Sequence, residues 1–66
     1  MRNTVRFVAV MGHGERTVGT VSPDRAAALG TVGLHQVACE LAQMGLPVRV
    51  DVHVAGAWFP LVGAVR

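Results

Sequence analysis

Lysine, isoleucine and tyrosine are absent from this chain, and cysteine occurs once, as Cys39. A single cysteine excludes an intramolecular disulfide, one of the usual supports of a domain as short as 66 residues. Charge is sparse at 15%, while hydrophobic residues make up 52%, a balance far from that of disordered chains. One folded domain over residues 1–66 is therefore expected. The six basic residues are all arginines, and the formal net charge of +2 is too small to imply a polyanionic partner by itself. Missing lysines beside abundant valine, alanine and glycine fit a GC-rich codon usage and carry little functional weight.

Long apolar runs are missing too. The run Val5–Met11 is interrupted by Arg6 and followed at once by Gly12-His13-Gly14-Glu15, and the run Val54–Val65 is interrupted by Pro60. Neither approaches the roughly 20 residues of a membrane span or resembles a secretory h-region with its cleavage site. A cytosolic protein with no membrane partner is expected.

What is present reads as two hairpins around one helix. Thr4 to Met11 reads as a strand, Gly12-His13-Gly14-Glu15 as a loop, and Arg16 to Val21 as the returning strand. Ser22-Pro23-Asp24 is a helix start: a capping hydroxyl, a proline at the first helical position and an acid near the positive end of the dipole. Met44-Gly45-Leu46-Pro47 is a helix stop, with Leu46 placed to pack back on Leu41. Between them Ala26, Ala27, Gly30, Gly33, Leu34, Val37, Ala38, Leu41 and Met44 share one side, with Arg25, Gln36, Glu40 and Gln43 opposite. One helix from Pro23 to Met44 is expected, with a break near Gly30 as the alternative.

Pro47 to Val54 alternates cleanly, with Val48, Val50, Val52 and Val54 on one face and Arg49, Asp51 and His53 on the other. Ala55-Gly56-Ala57 reads as a turn, and Trp58 to Val65 as a last strand that Pro60 assigns to a sheet edge. The expected fold is α+β, of order ββαββ: a four-stranded, mainly antiparallel sheet with the helix across one face.

The functional reading rests on the first strand, Val5-Arg6-Phe7-Val8-Ala9-Val10-Met11, which is apolar at nearly every position. Such a strand wants cover on both faces, and a chain with one helix covers one. Self-association is therefore expected, as a homodimer joined through the open sheet face or an edge strand, in a non-enzymatic interaction protein. If the valines of the third strand face the helix with Phe7 and Met11, the open face holds Arg6, Val8, Val10, Arg49, Asp51, His53 and Trp58. The interface candidates are Val8, Val10, Arg49, His53 and Trp58. A small nucleic-acid-binding regulator using Arg6, Arg16 and Arg49 is the second reading. A small enzyme or ligand-binding protein with its site at the subunit seam is the third.

Other motifs carry less chemistry. Leu29-Gly30-Thr31-Val32-Gly33, followed by a helix and a valine-rich strand, resembles the GxxG loop of the K-homology RNA-binding domain, which clamps a nucleic-acid backbone between two helices. Here the middle pair is uncharged where that loop usually offers basic residues, and a hairpin replaces the family's single strand. The preferred reading is that the glycines let the helix approach the sheet or a partner helix closely. His35 and Cys39 lie one helical turn apart, yet zinc needs three or four ligands and nothing in the spacing supplies the rest. Cys39 lies mid-helix beside Glu40, which opposes a reactive thiolate, and His13 reads as part of a solvated hairpin tip. No catalytic residue, metal or cofactor is expected.

Overall fold

The computed structural model describes residues 3–43 and 45–61. Its elements are β1 (Val5–Met11), β2 (Gly14–Val21), α1 (Pro23–Ala42), β3 (Val48–Val54) and β4 (Ala57–Pro60). The sheet order is β2-β1-β3-β4 with every neighbouring pair antiparallel, so the fold is the α+β arrangement ββαββ. The chain leaves β2 through α1 and re-enters the sheet at β3, on the far side of β1. The two central strands are thus β1 and β3, and the helix packs on both.

Alternation sorts the side chains. Val5, Phe7 and Ala9 lie opposite Val52, Val50 and Val48 in register. All six are buried, and all but Ala9 belong to one core with Ala26, Leu34 and Ala38 of the helix. Val54, the last of the four valines, falls beyond the helix and is 39% exposed.

The first hairpin turns more tightly than expected. Met11 pairs with Gly14, so Gly12 and His13 alone make the loop and the second strand begins at Gly14 rather than Arg16. The second hairpin turns at Ala55 (φ 51°) and Gly56 (φ 81°), between Val54 and Ala57. Two consecutive positive φ values match the twist of a two-residue hairpin, which is why glycine suits the second position. Beyond Pro60 the expected last strand runs outside the described residues after Leu61; within them β4 is a sheet edge, where a proline is tolerated.

Ser22 caps α1 through its hydroxyl, which accepts from the Arg25 N–H at 3.3 Å. The helix is not continuous, contrary to the favoured reading of the sequence. Gly30 has φ 69° and ψ 178°, so helical stretches 23–29 and 31–42 meet at a kink. An L-residue resists that φ, whereas glycine adopts it freely, and the break re-phases the apolar stripe: Ala27, assigned to the buried side, is exposed. Gly33 stands against a side chain of its own helix. A Cβ there would meet Leu29 Cβ at 3.0 Å, so its bareness lets Leu29 fold over the kink. The helix ends at Ala42, two residues before the expected end at Met44, which lies outside the described residues, and the Gln43 N–H caps it by donating to the Cys39 and Glu40 carbonyls.

Candidate interaction surfaces

The sheet face away from the helix carries Arg6, Val8, Val10, Glu15, Arg49, Asp51, His53 and Trp58, as the registers Arg6–Asp51, Val8–Arg49, Val10–Glu15 and His53–Trp58 require. Asp51 stands at its centre. One carboxylate oxygen accepts from Arg49 Nε at 2.8 Å; the other accepts from Arg49 at 3.0 Å and from Arg6 Nε at 3.0 Å. Arg49 then reaches across β1 to Glu15 on β2, donating to both of its oxygens at 2.7 and 3.0 Å. Arg6 reaches the other way across β3, its guanidinium carbon 4.3 Å from the centre of the Trp58 ring on β4. His53 closes the far end, its ring 4.8 Å from that of Trp58. All four strands are tied together on one face.

This lattice is its own cover. Asp51 is only 2% exposed, although what overlies it is a single layer of arginine side chains and no second sheet or helix. Burial pushes its carboxyl up, but hydrogen bonds from Arg49 and Arg6 outweigh that and hold it below the usual carboxylate range. The hydrogen bond from Arg49 likewise lowers Glu15, and Arg49 is held more firmly protonated in return. Val8 is 2% exposed beneath the Arg49–Glu15 bridge, so its apolar side chain is covered from within the chain. Val10, one pleat further on, remains 39% exposed.

Of the interface candidates, then, Val8, Arg49, His53 and Trp58 share this face: Val8 is buried, Arg49 is engaged with Asp51 and Glu15, His53 and Trp58 with each other, while Trp58 and Val10 remain 37% and 39% exposed. Of the three arginines assigned to nucleic acid, Arg6 and Arg49 share this face while Arg16 does not. It lies opposite Ala9 and so projects on the helix side. The two positive charges of Arg6 and Arg49 are paired with Asp51 and Glu15.

Besides Val10 and Trp58 on this face and Val32 on the helix, which are 39%, 37% and 72% exposed, apolar surface is open on the two flanks that the helix leaves uncovered. Beside β2, Val18 and Leu46 are 43% and 42% exposed and line, with Ala9, Leu41 and Val48, a cleft of about 160 Å³. On β4, Phe59 is 50% exposed opposite Val52 in register, and Val54, opposite Ala57, is 39% exposed. A second cleft of about 190 Å³ opens at the helix kink between Val5, Gly30, Leu34, Val52 and Leu61. Sequence reasoning named neither Val18 nor Leu46 nor Phe59 as surface anchors, because edge position is a property of strand order and not of alternation. The sequence pattern places Glu15 in the loop, whereas β2 begins at Gly14 and sets Glu15 opposite Val10, on the face of Arg49.

Among the described residues no three metal-binding side chains converge, and no helix is long and apolar enough to cross a membrane. Cys39 is exposed, and His35 Nε2 is buried without a hydrogen-bond partner. No family model, no curated protein and no solved structure matches the chain.

Proposed function

We propose that this chain is a small non-enzymatic interaction protein of the cytosol that works as a homodimer. The observation that carries the reading is the apolar surface left beside the helix: Val18 and Leu46 on one flank, Val54 and Phe59 on the other, each 39–50% exposed in a chain of 66 residues. Scattered exposed valines need no explanation, but Val18 and Leu46 lining one cleft at the margin of the core are unfinished packing. The open face supports the reading less than its sequence suggests, since the ion-pair lattice already covers Val8. The nucleic-acid reading draws no support from charge, because Arg6 and Arg49 are bound to carboxylates and Arg16 faces away from them.

Sedimentation at low micromolar concentration tests the proposal. A dimer is expected, and a folded monomer persisting to about 100 μM would overturn it, since a specific interface holds well below that concentration.

A further inference from the structure

We infer that the second copy docks on the outer edge of β2, each β2 pairing antiparallel with its mate so that the four-stranded sheet doubles into one continuous sheet with both helices on the same side. The inference rests on the homodimer reading and names its seam. The sheet has two free edges, and they differ. β4 is four residues long and ends on Pro60, which has no N–H to donate, both familiar guards against edge pairing. β2 runs eight residues, Gly14–Val21, without proline and with a bulge at Val18 as its one guard, and among the described residues only β1 pairs with it.

The sequence of β2 favours antiparallel over parallel pairing with itself. Its charges, Glu15 and Arg16, stand at one end, and Thr20 and Val21 at the other. An antiparallel two-fold sets each charged end beside an uncharged one, whereas parallel pairing would stack Arg16 on Arg16. The middle of the strand supplies the apolar contact. β1 pairs Phe7 with Gly19 and Val8 with Thr17, leaving Val18 as an extra, bulged residue. Val18 lines the helix-side cleft with Leu41 and Leu46, so a two-fold axis near it sets the clefts of the two copies side by side and buries both valines between them. The bulge confines new ladder bonds to its two sides, so the seam depends on Val18 more than on any single backbone bond. Pairing β2 with the partner's β4 instead would be head-to-tail, building larger rings or open fibres, whereas β2 on β2 closes after two copies.

Substitutions at the two edges separate the outcomes. Val18 and Phe59 are both substantially exposed, so a lysine at either is compatible with the folded monomer. In sedimentation of the full chain, Val18→Lys is expected to weaken dimerisation about 30-fold or more, as loss of a central anchor does. Phe59→Lys is expected to leave it within about 2-fold. A dimer equally tight in Val18→Lys, or one broken by Phe59→Lys alone, overturns this seam while the homodimer reading stands; a monomeric wild type overturns that reading itself. A second measurement is independent of affinity. In a Cys39→Ser background, Val18→Cys should form an intermolecular disulfide under mild oxidation, because antiparallel neighbours lie within disulfide reach. A dimeric Val18→Cys variant that does not cross-link overturns the seam.

Discussion

The two faces of the sheet bury side chains by opposite means. On the helix side Phe7, at 2% exposure, and Val50, at 0%, are covered by a second layer of apolar structure. On the other side Val8 and Asp51, each at 2%, are covered by long side chains of the same sheet, held flat because their charged ends find partners two strands away. The first is non-directional and needs only bulk and shape. The second holds only while every charge keeps its partner. An arginine stem covers apolar surface well when its head is fixed, so one face of this small sheet is closed without a further element.

Breaking the apolar side should have the largest effect. Phe7→Ala removes a buried ring between sheet and helix and is expected to destabilise by about 3–5 kcal/mol, read by denaturant unfolding. The whole stability of a domain this size is on the order of 3–10 kcal/mol, so the variant should be largely unfolded unless association supports it.

Breaking the polar side should come next. Asp51→Ala leaves Arg6 and Arg49 adjacent with their central acceptor gone, and a loss of about 2–3 kcal/mol is expected. The lower figure follows from the partial exposure of both arginines, 24% and 32% at the side chain, which lets water take over some of the lost contacts. The same variant should free Arg6 from its place over Trp58, seen as a shift in tryptophan fluorescence. An unchanged spectrum would mean that the arginines hold their places without the carboxylate.

Acid sharpens the contrast further. Asp51 and Glu15 are both held below their ordinary values in the folded protein, so the unfolded chain binds protons at higher pH than the folded one. Their contribution is complete above the unfolded values of about 4 and is lost as pH falls from there through the lower folded values. Melting temperature should therefore fall below about pH 4, and Asp51→Asn should flatten that fall. A buried apolar variant such as Val50→Ala should lower the whole curve without changing its slope; equal slopes in both variants would remove the distinction between the faces.

The smallest effect concerns neither face. Ala55 holds φ 51°, which alanine adopts reluctantly, so Ala55→Asn is expected to add about 0.5–1 kcal/mol by fitting the turn. It should do so equally in wild type and in Asp51→Ala, since the turn belongs to neither cover.

Much of this architecture was legible along the chain. The valines of Pro47–Val54 assigned the core face because alternation admits one other choice, and the polar residues between them made that choice costly. Ser22-Pro23 fixed the helix start for an equally local reason. The kink was less legible: glycine permits both a helical and a left-handed φ, and the packing of Leu29 across Gly33 selected the second. The polar face was half legible. Arg49 and Asp51, two residues apart on one strand, had to share a face, but nothing local set Glu15 and Trp58 within reach of the two arginines.

The amino-acid order by itself determined which elements form and which face of each is apolar, because periodicity and capping act over a few residues. It did not determine which strands stand at the centre and which at the edges. That was decided by the crossover of α1 past β1, which placed β2 and β4 outermost and set Glu15, Arg49, Asp51, Arg6 and Trp58 side by side across four strands. Contacts between residues 34 and 45 positions apart, such as Arg49 with Glu15 and Arg6 with Asp51, exist only once the sheet has assembled, since their geometry belongs to the pairing of strands and to no segment alone.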